Sequence, residues 1–476
     1  MQDPSYAQTG LPDQAVSSNE LPSGKKNIVI CCDGTGNEFG ETNSNVVKLY
    51  TALQIDDSQV GYYHPGVGTM GSPAERYRIP RWWSQIKGLA FAAGFKDNVL
   101  DAYRYLMATY NEGDRVYLFG FSRGAYTVRA LAGLLNGFGL LCRGNEGHLP
   151  YAWRLYANQH KKRDRTSIHG DDNGAAAFKE TFSHGDFNIH FVGLWDTVSS
   201  VGWIYSPLIL FNVSQNPSIC RGRHAVSIDE RRCFYEDNLW GETLPSQDIE
   251  QVWFAGAHSD IGGSYPREEC GLSLITLEWM IEEAKHADLK LVADRVNLVL
   301  GRPTKSYPNA QKLYKPPNER EEHKSLTPVW RLLEIIPHKS YDKDWKKELY
   351  RVPLGATRDL PKGALVHSSV VERMKSWTPK YSPGNLLKGS LVAVPDRPTI
   401  FKFEPHRKKS NTLLRWLLVF LFAVMDIAIV AAIAGVLIHV VILLWHVLLW
   451  QLLKVETFDQ HVVSCITKKI LHLFGH

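Results

Sequence analysis

The segment Gly120-Phe121-Ser122-Arg123-Gly124 decides the fold assignment, because it separates a strand pattern from a helix pattern. A β-rich run over residues 115–119 precedes it, and a helical apolar pattern over residues 125–135 follows it. A serine between two glycines in a strand, turn and helix context is typical of a nucleophile elbow. A side chain on either flank of the serine would collide with the neighbouring strand and helix. The pattern therefore predicts that Ser122 projects its hydroxyl above a sheet.

Two further residues complete a candidate catalytic set. A serine hydroxyl becomes a strong nucleophile only when a histidine accepts its proton and a carboxylate orients that histidine. In folds with this elbow the partners follow the serine in the order Asp, His. Asp196 and His258 each follow a strand-like run, so both lie at carboxyl ends of strands, where open α/β sheets hold their sites. We predict Asp196 as the acid and His258 as the base. Asp260 is the poorer acid candidate, because it lies two residues after His258 and its side chain would have to fold back under the imidazole ring.

The oxyanion formed during ester cleavage needs two backbone N–H donors. The residue after the nucleophile, Arg123, would supply one, and a loop after an earlier strand would supply the other. The strand pattern over residues 27–32 runs into Asp33-Gly34-Thr35-Gly36-Asn37, whose glycines let the backbone approach a substrate closely. The predicted oxyanion hole therefore comprises Arg123, Gly34 and Thr35.

Two other motifs suggest different chemistry, and neither has the context it needs. A phosphatase strand ending in D-x-D-G-T would place its attacking aspartate where this chain has Cys31. Residues 66–71 match G-x-G-x-x-G, but a His-Pro pair precedes them and a Ser-Pro pair follows them. A dinucleotide site needs a strand before the motif and a helix after it. We predict no metal and no organic cofactor.

Five motifs in a fixed order resemble the uncharacterised α/β-hydrolase family that includes the type VI secretion phospholipase effectors. They are D-G-T-G-N, G-F-S-R-G-A, W-D-T-V, the stretch R-H-A-V-S-I-D-E-R-R and W-F-A-G-A-H-S-D-I-G-G, and they cover about residues 27–290. The resemblance implies Ser122 as nucleophile, Asp196 as acid, His258 as base and a lipid ester as substrate. The D-E-R-R cluster at residues 229–232 belongs to the same pattern. By itself it predicts an ion-pair network, and we assign it no catalytic role.

Composition and charge fit a large globular enzyme. A chain of 476 residues that is 44% hydrophobic has ample material for a core. Seven cysteines without a C-x-x-C pair argue against a disulfide framework, and a net charge of +5 without a basic stripe argues against nucleic-acid binding. We predict a disordered leader over residues 1–26 and a catalytic α/β domain over residues 27–290. This domain would hold a doubly wound, mostly parallel sheet with helical insertions, followed by a cap, lid or accessory region over residues 291–400.

Residues 413–453 are overwhelmingly apolar, and the run is longer than a globular core helix requires. As one helix it would extend about 60 Å, roughly twice the hydrocarbon thickness of a bilayer. The predicted fold class therefore adds C-terminal transmembrane helices, either as a hairpin or as one protruding helix. Basic residues flank both ends, which favours the hairpin with both ends cytoplasmic. Residues 459–474 are predicted to form an interfacial helix.

Together these features predict a membrane-anchored serine hydrolase, with its catalytic domain on the cytoplasmic side, that cleaves a lipid ester through an acyl-enzyme. Its partners would be a membrane lipid as substrate, the bilayer through residues 413–453, and another copy of the chain through the transmembrane helices. Two alternatives stay open, a tethered esterase or thioesterase on soluble acyl compounds and a catalytically idle membrane scaffold. An intact Ser, Asp and His set disfavours the scaffold, although fold alone does not establish function.

Overall fold

The computed structural model describes most of the chain up to residue 406. The described residues are 24–34, 40, 42–66, 88–163, 172–185, 187–198, 202–203, 206–207, 215–235, 237–306, 308–309, 322–335, 338–342, 347–376 and 381–406. The chain divides into two units, Met1–His406 and Arg407–His476, and all described residues belong to the first.

A mixed β-sheet forms the centre of this unit. The strands of the described residues are β1 Asn27–Cys32, β2 Gln59–His64, β3 Arg115–Phe121, β4 Ile189–Trp195, β5 Gly202–Trp203, β6 Ser206–Pro207, β7 Ile219–Ser227, β8 Asp248–Phe254, β9 His338–Asp342, β10 Lys347–Arg351, β11 Leu365–His367, β12 Gly389–Val394 and β13 Arg397–Pro405. Within this part of the chain one sheet has nine strands in the order β12-β13-β11-β8-β7-β4-β3-β1-β2. In this sheet β2, β1, β3, β4, β7, β8 and β11 are neighbours in that order, and each pairs in parallel with the next. Strand β13 pairs antiparallel with β11, and β12 pairs antiparallel with β13 at the edge. The pairs β5–β6 and β9–β10 are separate.

Helices cover both faces of the sheet. They are α1 Asn45–Ala52, α2 Gly88–Thr109, α3 Arg123–Phe138, α4 Leu149–Arg163, α5 Asp172–Phe182, α6 His258–Gly262, α7 Gly271–Lys285, α8 Ala293–Val299, α9 Pro328–Leu333 and α10 Ser368–Ser376, with 3-10 turns at Glu146–His148, Cys233–Tyr235 and Leu386–Lys388. Helices α2 and α3 pack on one face, and α1 and α7 pack on the other.

The sequence of β1 shows why both faces are covered. All six of its residues are buried. Successive side chains of a strand point to opposite faces. Ile28 and Ile30 accordingly join the core beneath α2 and α3, whereas Val29 and Cys31 join the core beneath α1 and α7. Such a continuous apolar run is typical of a parallel strand buried on both sides.

The α/β part of the predicted fold class fits this sheet. Strands β11, β12 and β13 come from the region predicted as a cap, lid or accessory segment, and they extend the same sheet as the strands before residue 290. The predicted domain borders at residues 26, 290 and 400 stay a prediction.

The membrane part of the predicted fold class, and the membrane localisation with a cytoplasmic-side catalytic domain, are corrected. Among the helices of the described residues, none combines the length and the apolar character that a membrane crossing requires. Helix α2 has 22 residues, which is long enough, but Lys96, Asp97, Asp101 and Arg104 interrupt it with charge. Residues 1–23 of the predicted leader, and the predicted segments 413–453 and 459–474, lie outside the described residues.

The glycines that flank Ser122 are required by close packing. A Cβ on Gly120 would lie 2.7 Å from the Cα of Ala125. A Cβ on Gly124 would overlap the carbonyl oxygen of Cys32 and lie 2.5 Å from that of Asp33. The first turn of α3 therefore lies against the end of β1 with no space for a side chain.

We expect Gly124→Ala to lower the free energy of unfolding by about 1–3 kcal/mol or more, because backbone carbonyls of β1 cannot move aside as a side chain could. Gly137→Ala is the matched control in the same helix, since nothing lies within 4 Å of its added Cβ. That change should raise the free energy of unfolding by about 0.5–1 kcal/mol. Urea unfolding followed by circular dichroism measures both, and equal midpoints for the two variants would contradict the packing argument.

Candidate active site

Strained backbone holds two of the predicted site residues. Ser122 lies between β3 and α3 with φ 58° and ψ −122°. Its N–H donates to the carbonyl oxygen of Trp195 at 3.0 Å, which ties the turn to the end of β4. Asp196, the next residue after β4, also has a positive φ of 37°. Positive φ at residues other than glycine costs energy, and such positions concentrate at functional sites.

The structure brings the side chains of Ser122, His258 and Asp196 into one hydrogen-bonded chain. Nε2 of His258 lies 2.7 Å from Oγ of Ser122, and Nδ1 lies 2.6 Å from Oδ2 of Asp196. All three residues are buried. An ionised carboxylate can only accept a hydrogen bond, so Nδ1–H of His258 donates to Asp196. Nε2 of the neutral ring then accepts a hydrogen bond from the Ser122 hydroxyl. This is the arrangement in which a serine can lose its proton to a base.

Asp196 is held by donors other than His258 as well. Its Oδ1 accepts from the backbone N–H of Ser227 at 2.9 Å and from Nη1 of Arg358 at 2.5 Å, and Nη2 of Arg358 donates to Oδ2 at 3.1 Å. Burial by itself disfavours the charged carboxylate. The guanidinium of Arg358 and the bond to His258 outweigh that effect, so the pKa of Asp196 lies well below its usual range. Asp196 is therefore ionised at neutral pH.

Aromatic side chains enclose the ring of His258. The ring centroids of Phe121 and Tyr235 lie 4.8 Å and 4.7 Å from that of His258. Burial lowers the pKa of His258, and the hydrogen bond and charge of Asp196 oppose that effect without reversing it. His258 is therefore neutral at neutral pH, which is the form that can accept a proton.

Glu230, within the D-E-R-R cluster, contacts the backbone of His258. Its Oε2 accepts from the backbone N–H of His258 at 3.2 Å, and its two oxygens accept from Nε and Nη2 of Arg232 at 2.9 Å and 2.8 Å. Burial disfavours the charge, but these bonds and the charge of Arg232 lower the pKa of Glu230 from 4.5 to about 2. The cluster thus contains a buried ion pair that holds the start of α6, where His258 lies.

Asp260 is directed away from the ring of His258. Its Oδ2 accepts from the backbone N–H of Ala257 at 2.9 Å, and its Oδ1 lies 2.6 Å from Nδ1 of His323. The ring of His323 stacks on Tyr265 with centroids 3.6 Å apart. Asp196, and not Asp260, is the aspartate whose carboxylate contacts the ring of His258.

Of the three residues predicted for the oxyanion hole, the structure describes Arg123 and Gly34. Arg123 is the first residue of α3, so its N–H lies at a helix N-terminus, where partial positive charge favours an anion. The N–H of Gly34 donates to Oδ1 of Asp33 at 2.6 Å, whose other oxygen accepts from Ser44 at 2.6 Å. Thr35 lies outside the described residues. The oxyanion role of these residues stays a prediction.

Sequence reasoning missed Arg358. It lies in the sequence Gly355-Ala356-Thr357-Arg358-Asp359, which carries no strand or helix pattern and no motif that would separate it from an exposed loop arginine.

Over the described ranges, no group of three His, Cys, Asp or Glu side chains is close enough to hold a metal ion.

A nucleophile elbow on a largely parallel sheet, with a histidine and an aspartate from later strand ends, defines the architecture of an α/β-hydrolase. The catalytic-domain model of the type VI secretion phospholipase effector family, Tle1-like, matches residues 26–283. The chain belongs to this family, which confirms the resemblance found in the sequence motifs.

Three individual proteins are also similar to parts of the chain. An uncharacterised protein of Saccharomyces cerevisiae is 37% identical over 230 residues, which make up 46% of this chain and 33% of that protein. The chain therefore aligns with about a third of the length of this relative. A solved structure of an uncharacterised Pseudomonas aeruginosa protein has 17% identity and a TM-score of 0.35, covering 62% of this chain and 52% of that one. A structure of the Tle1 effector bound to the VgrG spike has 17% identity and a TM-score of 0.28, covering 51% of each chain.

The lowered pKa of Glu230 predicts a pH-dependent contribution to stability. Because its pKa is lower in the folded state, the ion pair stabilises the protein above about pH 4.5, and this stabilisation is lost as the pH falls toward 2. We expect Glu230→Gln to lower the free energy of unfolding at pH 7 by about 3 kcal/mol. The deficit should shrink by about 1 kcal/mol at pH 3.5, measured by urea unfolding at both pH values. A deficit that does not change with pH would contradict the ion-pair assignment.

Proposed function

We propose that this protein is a serine hydrolase that cleaves ester bonds of lipids through an acyl-enzyme on Ser122. The observation that carries the proposal is the buried hydrogen-bonded chain from Ser122 through His258 to Asp196. Membership of a phospholipase effector family supports a lipid ester as the substrate.

The proposed reaction has two halves. Oγ of Ser122 attacks the ester carbonyl while Nε2 of His258 accepts the hydroxyl proton. The tetrahedral intermediate then expels the alcohol, which takes that proton from His258, and the acyl group stays on Ser122. Water attacks the acyl-enzyme in the second half, with His258 again accepting a proton, and the products are the free acid and regenerated Ser122. Asp196 stays ionised throughout and stabilises the imidazolium ion.

The protein supplies specific help at each stage. The turn at Ser122 presents the hydroxyl at a helix N-terminus, where developing negative charge on the substrate oxygen is favoured. The aromatic rings of Phe121 and Tyr235 keep water away from the imidazole. Because His258 and Asp196 are buried from water, their hydrogen bond is stronger than it would be in water.

We expect Ser122→Ala to lose labelling by a fluorophosphonate probe and to lose about 10⁶-fold in kcat on an ester substrate, because the nucleophile is gone. His258→Ala should be almost as inactive. Ser376→Ala is the matched control, since that exposed hydroxyl donates to the carbonyl oxygen of Glu372 in its own helix, at 2.8 Å. Labelling of Ser122→Ala at the rate of the unchanged protein would refute the assignment of the nucleophile.

The two aspartates near His258, Asp196 and Asp260, give a second test. We expect Asp196→Asn to lower kcat about 10⁴-fold, because the amide no longer holds the imidazole in the tautomer that accepts the serine proton. Asp260→Asn should keep kcat within about tenfold of the unchanged protein, because Asp260 contacts His323 and not the ring of His258. Steady-state hydrolysis of a soluble short-chain ester measures both. The opposite ranking of the two variants would assign the acid to Asp260.

The substrate class is tested by direct comparison of acyl compounds. We expect the protein to release fatty acid from phospholipid in detergent micelles, as measured by mass spectrometry, and the Ser122→Ala variant to release none. Hydrolysis confined to soluble esters or thioesters would favour the esterase or thioesterase alternative.

A further inference from the structure

We propose that Arg358 is a positioning residue for this site, which holds both oxygens of Asp196 and offsets their charge, so that His258 keeps its base form at mildly acidic pH. The inference rests on the proposed function, since it assigns the residue that tunes the same site. Arg358 lies 75 residues beyond the end of the family match at residue 283.

The geometry of the contact is that of a guanidinium fork on a carboxylate. Nη1 of Arg358 donates to Oδ1 of Asp196 at 2.5 Å, and Nη2 donates to Oδ2 at 3.1 Å. The two side chains are 6% and 1% exposed, so water does not screen the pair. A fork of this kind fixes the plane of the carboxylate as well as its position. It therefore sets the direction in which Oδ2 meets Nδ1 of His258.

Arg358 is itself held from several sides. Nη2 donates to the carbonyl oxygen of Tyr235 at 2.5 Å, and Nη1 donates to that of Ser227 at 3.3 Å. The side-chain amide of Asn385 donates to the carbonyl oxygens of Arg358 and Ile228, at 3.2 Å and 2.8 Å. The residue is thereby joined to the end of β7, and its guanidinium cannot swing away without breaking buried hydrogen bonds.

The charges that surround His258 cancel in pairs. Asp196 pairs with Arg358, and Glu230 pairs with Arg232. Among the described residues, uncharged groups that contact the ring are the hydroxyl of Ser122 and the aromatic rings of Phe121 and Tyr235. On the same short helix as His258, Asp260 is engaged by His323. Without Arg358, the carboxylate of Asp196 would lie beside the imidazole with no cation to offset it, which favours the imidazolium ion.

This charge balance has a direct effect on the pH at which the site works. Only neutral His258 can accept the Ser122 proton, so activity is present above the pKa of His258 and is lost below it. Removal of the positive charge of Arg358 raises the pKa of His258. The acid limb of the activity profile then moves to higher pH.

The experiment compares Arg358→Gln with Arg358→Lys. The rate of fluorophosphonate labelling is measured from pH 5.5 to 8.5. We expect the ratio of the rate at pH 6 to that at pH 8 to fall about tenfold in Arg358→Gln, because the charge is lost. In Arg358→Lys the ratio should stay within about twofold of the unchanged protein, whereas the rate at pH 8 falls because an ammonium cannot form the fork. Arg104→Gln, which removes an exposed guanidinium paired with Asp101, is the matched control and should leave the ratio unchanged.

A second measurement separates this inference from the proposed function. The titration of His258 is followed by NMR on histidine-labelled protein, with its signal identified by its absence in His258→Gln. We expect the signal to titrate below the ordinary value of about 6.5 in the unchanged protein and at higher pH in Arg358→Gln. Titration above 6.5 in the unchanged protein, or the same titration in Arg358→Gln, would overturn the role of Arg358. Protein that shows the expected titrations but resists the probe would instead refute the proposed function and leave the charge balance standing.

Discussion

The turn at Ser122 is the constraint on which the remainder of the site depends. Its backbone adopts a conformation that a serine avoids, and it is held there because α3 starts against the end of β1 while the Ser122 N–H is bonded to the end of β4. The turn at Ser122 therefore connects the end of β3 with the ends of β1 and β4. The cost of the strained turn is offset by the burial of β1, β3 and β4 between two layers of helices.

The carboxylate of Asp196 is the second point at which distant parts of the chain meet. It accepts from a histidine at the start of α6, from a backbone amide in β7 and from a guanidinium that precedes β11. A buried carboxylate with a single partner would be costly, whereas one with donors on both oxygens is stable in its charged form. The same bonds that make the charge tolerable also orient it, so stability and catalytic geometry have one cause here.

Several parts of this architecture could be predicted from the sequence, because they depend on local patterns. The strand and helix on either side of Ser122, and the strand runs before Asp196 and His258, bring three side chains to one edge of a parallel sheet. Arg358 could not be found in this way, because its position depends on long-range packing that no local pattern encodes. The contact between Glu230 and the backbone of His258 could likewise not be predicted, although the cluster that contains Glu230 predicted an ion-pair network. The membrane part of the predicted fold class came from residues 413–453 alone, and no helix of the described residues supports it.

The attachment of β11 beside β8 has a consequence for where the folding unit ends. The family match stops at residue 283, but β8 is followed in the sheet by β11, whose Leu365 and Val366 pair with Val252 and Trp253. A fragment cut at the end of the family match would leave β8 as a bare edge strand, with unpaired amides and carbonyls beside a large indole. Such an edge invites pairing with other molecules, so the fragment would be prone to aggregate. The sheet therefore extends beyond the stretch that the family model matches.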